Sequence, residues 1–163
     1  MSRFFLFLIL LSVCASRALA SPENPSPVGV WRVIGDKSGE AEALIRISEH
    51  DGVYEGRITN IFPRPDVSPD ARCERCSGAR KDQPVKGMLI LSGLKRVGQE
   101  FRDGEILDPD TGELYRCKLS ISNDNRQLFV RGYIGLSLFG RTQTWLREQS
   151  LEPLNNKFSG SAF

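Results

Sequence analysis

Arg131, Tyr133, Arg141 and Gln143 are the side chains in this sequence best suited to hold a ligand. A guanidinium can give a carboxylate or phosphate two parallel N–H bonds, while a phenol and a carboxamide add donors and acceptors that fix orientation. The four fall on two neighbouring predicted strands. Alternation sets Arg131 and Tyr133 opposite Val130, Gly132 and Ile134, so these polar groups suit a solvent face with cross-strand pairs as well as a binding face. Catalysis has less to work with. The one histidine, His50, stands at a hairpin turn and makes no nucleophile–base pair with the Ser, Thr and Lys residues of the chain. Asp108-Pro109-Asp110 offers too few oxygen ligands in register for calcium and reads as a turn. No catalytic residue, metal or cofactor is assigned on these grounds, and a non-enzymatic protein is expected.

The cysteines point to a covalent staple. Cys73-Glu74-Arg75-Cys76 closes a small ring inside a long polar loop that carries Pro63, Pro65, Pro69, Gly78 and Pro84. An exchange catalyst needs its first cysteine at a helix start in a thioredoxin-like unit, and these flanks build a loop instead. Zinc would need a second cysteine pair or histidines to complete four ligands, and the sequence has neither. Cys117 alternates with Tyr115 and Leu119 on a predicted strand and is expected as a buried free thiol.

A disulfide requires an oxidising compartment, and the N-terminus reads as the route to one. Met1-Ser2-Arg3 gives a positive start, Phe4 to Ala15 an apolar run, and Ala18-Leu19-Ala20 small residues for signal-peptide cleavage near Ala20. That run falls short of the roughly 20 apolar residues needed to cross a bilayer. Leu11-Ser12-Val13-Cys14 leaves a second possibility, a lipoprotein signal acylated on Cys14, although Val13 is bulky where such signals carry a small residue. The expected location is the bacterial periplasm or the outside of the cell.

Removing residues 1–20 from the 163-residue chain leaves 143, enough for one domain and too few for two ordinary ones. With 40% hydrophobic and 26% charged residues, the composition excludes disordered, collagen-like and coiled-coil classes. The formal charge of +2 comes from Arg3 and Arg17 in the leader; the remainder balances to zero, without the basic excess of a nucleic-acid binder. No later segment is apolar enough to span a membrane.

The elements that must position these groups are strands. Hydrophobic alternation predicts Gly29–Ile34, Ala41–Glu49, Val53–Ile61, Met88–Leu94, Glu100–Leu107, Leu114–Ile121, Gln127–Ile134 and Gly140–Arg147, with almost no 3.6-residue period. Turn signals separate them, among them His50-Asp51-Gly52, Asp108 to Gly112 and Asn123-Asp124-Asn125. Phe62–Pro84 is the long excursion, Gly135–Phe139 an apolar tip, and 148–163 an aperiodic, loose tail. Eight sequential strands with short links favour an all-β, antiparallel, up-and-down barrel, because closure removes the two edges a flat sheet would expose. A two-sheet sandwich is the rival architecture.

Gly29-Val30-Trp31 on the first strand and Thr144-Trp145-Leu146-Arg147 on the last resemble the lipocalin-like pattern. There a Gly-x-Trp packs beneath an arginine of the final strand at the closed end, which implies barrel-closing roles for Trp31 and Arg147. The wider set of motifs comprises Cys73-x-x-Cys76, Lys86-Gly87-Met88, Gly104 to Pro109, Tyr115 to Leu119, Val130 to Gly135 and Leu138 to Trp145. Over roughly Val28 to Arg147 this set is similar to the bacterial domain of unknown function 2147 family. The resemblance implies a small exported lipocalin-like barrel spanning 28–147 and no established activity. Two functions are carried forward from this reading: binding of a small, hydrophobic or amphipathic ligand inside the barrel, or a filled barrel that docks on an envelope protein through Phe62–Pro84 and Leu136–Phe139.

Overall fold

The computed structural model describes residues 25–65 and 67–148. The leader, its cleavage near Ala20 and the acylation alternative at Cys14 lie outside the described residues, as does the tail beyond Glu148. Eight strands occur in order: β1 (Gly29–Ile34), β2 (Ala41–His50), β3 (Val53–Ile61), β4 (Leu89–Val97), β5 (Glu100–Leu107), β6 (Leu114–Ile121), β7 (Gln127–Tyr133) and β8 (Gly140–Arg147). Each pairs antiparallel with the next, and β8 returns to β1, so the sheet is a closed barrel. The closing seam pairs Trp31 with Arg147, Arg32 with Leu146 and Val33 with Trp145. The only helical turn among the described residues is a short 3₁₀ segment, Gly78–Arg80.

Local chemistry accounts for the tight hairpins. Asp51 and Gly52 both take positive φ, 51° and 79°, between the paired His50 and Val53. That is the two-residue turn whose twist matches a right-handed hairpin, and Asp-Gly is among the pairs that tolerate it. His50 itself belongs to β2.

Strict alternation fails on β3, where a bulge at Thr59 keeps both Ile58 and Ile61 buried, and more extensively on β4 and β5. Leu91 and Leu94 are both buried on β4, and Phe101 and Gly104 are both buried on β5. Spacings of three put these pairs on opposite faces of a regular strand. Both strands change face together between the Ser92↔Glu105 and Lys95↔Arg102 pairs, where Gly93 and Asp103 adopt φ of 73° and 63°. The switch carries β4 on to Val97, beyond the end at Leu94 that alternation predicts, and keeps Leu94 in the core.

The up-and-down path sorts the connections by end. Asp51-Gly52, Gly98-Gln99 and residues 122–126 turn the chain at one end; 35–40, 62–88, 108–113 and 134–139 lie at the other. Around the tight-turn end the interior is filled. Trp31, Ile45, Ile47, Leu91, Leu94, Phe101, Leu119 and Leu128 are all essentially without exposure. Glu148, read from the sequence as the start of the loose tail, is anchored: its N–H donates to the Val30 carbonyl at 2.8 Å and its carboxylate accepts from Arg32 at 2.7 Å.

Candidate functional site: a cavity above a plugged floor

The inward face of β8 reads the barrel axis from bottom to top as Arg147, Trp145, Gln143 and Arg141. At the bottom, Arg147 stacks its guanidinium over the Trp31 indole, 4.1 Å from the ring centroid. Its N–H groups also donate to the carbonyls of Asn125 (2.7 Å), Val28 (2.9 Å) and Ser26 (2.7 Å) and to the Asn125 side chain (2.8 Å). Burial lowers the Arg147 pKa from its ordinary value, and these four bonds hold the charge in place. The Trp31 Nε1–H donates to the Pro27 carbonyl at 2.6 Å, and Arg96 donates to Pro25 at 2.5 Å. The segment 25–28 therefore crosses beneath the barrel, with Pro27 fully buried. Gly29 completes the arrangement. Its φ is 135°, and a Cβ there would stand 2.7 Å from an Arg147 terminal nitrogen, so the residue two before the tryptophan leaves room for the guanidinium.

Above this floor the barrel opens into a cavity of about 950 Å³, at the upper end of the usual range for small-molecule sites. Its deep wall is apolar, formed by Val33, Ile58, Ile90, Ile106, Val130 and Trp145. Gln143 lies among them, its carbonyl oxygen accepting from the Trp145 indole N–H at 3.4 Å. The rim is charged and holds two ion pairs. Arg141 donates through Nε to Asp36 at 2.7 Å, and Arg64 pairs with Glu42. Arg64 also keeps a buried Nε–H that has no partner among the described residues. Tyr115 lies on the rim, and its pKa is raised, chiefly by its hydrogen bond to Glu113.

The long excursion forms one side of this cavity. Val67, Ser68, Ala71, Arg72, Glu74, Arg75 and Val85 line it. Cys73 and Cys76 are joined in a disulfide and both are buried. The Cys73 sulfur rests 3.2 Å from the Pro109 carbonyl oxygen. The staple thus packs the excursion against the β5–β6 turn, where the Asp108 carboxylate accepts the N–H of Asp110 at 2.9 Å. Cys117 is buried on β6 without a disulfide partner, and burial pushes its thiol up to about 12.

The four side chains singled out from sequence separate. Arg141, Gln143 and Tyr133 line the cavity, Tyr133 at the rim where β7 ends. Arg131 does not. It stands on the outer face, as alternation with the buried Val130 requires. Its guanidinium donates to the carbonyls of Ser137 (2.7 Å) and Leu138 (3.0 Å) and to the Thr142 hydroxyl (2.9 Å). Sequence reasoning missed Arg64, Arg72 and Arg75, because the excursion that carries them has no period from which a facing direction can be read. Among the described residues, no group of three or more His, Cys, Asp or Glu side chains is placed to hold a metal.

The barrel is similar to a solved structure described as "Protein HP1028 from the human pathogen Helicobacter pylori belongs to the lipocalin family". The TM-score is 0.66 at 18% identity, over 77% of this chain and 84% of that one. At that identity the likeness concerns the fold. No curated protein matches the sequence. The family described as "Uncharacterized protein conserved in bacteria (DUF2147)" matches residues 29–147, and the chain belongs to it.

Proposed function

We propose that the open half of the barrel binds a small amphipathic molecule, and that the protein acts by binding and not by catalysis. The observation that carries this reading is the cavity itself, a chamber with an apolar deep wall, closed below by Trp145 and Val130 and rimmed by charged side chains. Apolar contact along the deep wall supplies affinity, and Gln143 and Arg141 orient a polar end. The buried disulfide and the absence, among the described residues, of a helix long and apolar enough to cross a membrane agree with an exported carrier or sensor.

Gly132 gives the test. It lies in the cavity wall, where an added Cβ meets Ile106 at an ordinary 3.4 Å, so Gly132→Phe fills the chamber from an unstrained position. The fluorescent apolar amine N-phenylnaphthylamine is expected to bind the parent chain and to lose about tenfold or more in affinity on this substitution. The unfolding midpoint should stay unchanged. Equal binding by the two proteins would remove the carrier reading.

A further inference from the structure

The loop between β7 and β8 holds four large apolar side chains out in solvent: Ile134, Leu136, Leu138 and Phe139 are 69%, 71%, 80% and 73% exposed. These are half of the large exposed hydrophobic residues described, gathered within six positions at the open end. The exposure is built. Arg131 clamps the loop through the Ser137 and Leu138 carbonyls, and the Phe139 N–H donates to the Leu136 carbonyl at 3.0 Å. So fixed, Leu136 and Leu138 stand in solvent away from the open chamber. Ile134 and Phe139 also line that chamber, so a continuous apolar surface runs from the deep wall to the tips.

We infer that this lip inserts into the surface of a lipid bilayer and brings the cavity mouth to the membrane. Two features select lipid over a protein partner. A narrow convex loop buries all sides of its tips in a fluid acyl boundary, but on a protein it covers one face, far below the roughly 800 Å² per partner of a stable complex. The loop 134–139 carries no charge, and cations lie just beneath it on the outer face. Arg116 is the register partner of Tyr133, the last residue of β7, and Arg131 lies two residues further down the strand. Neither forms an ion pair among the described residues, and Glu105, the partner of Arg116 on β5, is the nearest acid in register. With the tips in the acyl region, these guanidinium groups reach the phosphate level, an arrangement that favours anionic headgroups.

Every strand of the barrel lies within residues 29–147, so the test uses the chain from Ser21 onward, without the apolar leader as a second membrane-seeking segment. Co-sedimentation with vesicles of phosphatidylethanolamine and phosphatidylglycerol is expected for this chain. Leu136→Asp with Leu138→Asp, two exposed positions, should cut binding about tenfold or more. Arg116→Glu should weaken it several-fold, and Gly132→Phe should leave it unchanged. Absence of vesicle binding, or equal binding by the double aspartate variant, would overturn the inference. So would self-association of the parent chain that the double variant abolishes, which would make the lip a contact between protein copies.

Discussion

Arg147 and Trp31 are register partners across the β1–β8 seam and are also stacked, guanidinium on indole. A residue that only plugged the barrel end would need no cation above it. The stack does more, because the same guanidinium ties the seam to segment 25–28 and to the β6–β7 turn at Asn125. Arg147→Ala is expected to destabilise the fold by about 3 kcal/mol, from a cation–π contact and several charged hydrogen bonds that act together and do not add. Arg147→Lys keeps the charge but loses the planar fork, and should recover less than half of that loss. Urea unfolding followed by tryptophan fluorescence measures both.

The same stack makes a claim about Gly29. An alanine there suffers twice, from a φ that side chains avoid and from the Arg147 nitrogen against its Cβ. Gly29→Ala should cost about 1–3 kcal/mol. In a double-mutant cycle with Arg147→Ala the steric part disappears and the backbone part remains, so the pair should lose less than the sum of the singles. Strict additivity would mean that the guanidinium is not what crowds the glycine.

Much of the barrel is legible in the sequence because strands buried on one face write their period plainly. Ile45 and Ile47 share an inward face, Asp51-Gly52 can be little other than a tight turn, and Trp31 with Arg147 marks the two strands that meet. The β4–β5 face switch is not legible. Gly93 and Asp103 look like ordinary strand residues until their left-handed backbones are seen together. The candidate site is only half legible for a similar reason. Arg141 and Gln143 share the inward period of β8 with Trp145, which places them once the barrel is closed. Arg64 and Arg75 come from aperiodic chain whose path depends on a disulfide and a distant turn. The role of Arg131 rests on loop carbonyls that no spacing rule reveals.

The disulfide should matter locally more than globally. It joins residues three apart, so it removes little chain entropy from the unfolded state, worth about 2 kcal/mol at most. Cys73→Ser with Cys76→Ser is therefore expected to leave the barrel folded, with a modest fall in unfolding free energy. The larger effect falls on the cavity wall, since Arg72, Glu74 and Arg75 lose their fixed seat against the β5–β6 turn. Binding of N-phenylnaphthylamine should weaken several-fold. Peptide mass spectrometry without reduction should link Cys73 to Cys76, and a link from either to Cys117 would break this assignment.

Cys117 gives a prediction with a definite sign. Burial raises its thiol from an ordinary 9.0 to about 12, so between these values the folded chain holds a proton that the unfolded chain releases. Stability from this group is complete below about pH 9 and is lost as pH rises toward 12, at up to about 1.4 kcal/mol per pH unit. Cys117→Ala should flatten the alkaline limb of the stability curve relative to the parent chain. The same burial protects the thiol. A maleimide should label Cys117 in the native chain only at the rate of unfolding, and fully in denaturant.

The Asp36–Arg141 pair at the rim decides what charge the cavity mouth presents. Arg141 spends its Nε and one terminal nitrogen on a single Asp36 oxygen, so an incoming anion must compete with a carboxylate already seated. Asp36→Asn removes that competitor, leaves the guanidinium in place and raises the net charge of the mouth by one. Anilinonaphthalene sulfonate, an anionic amphiphile, should then bind several-fold more tightly, while Arg141→Gln should bind it more weakly than the parent chain. The neutral N-phenylnaphthylamine separates charge from shape, because it fills the same apolar wall without a sulfonate and should respond to neither substitution. A parallel response of both probes would mean that the rim acts by gating access to the chamber and not by selecting a headgroup. Fluorescence titration of the three proteins with the two probes distinguishes these outcomes.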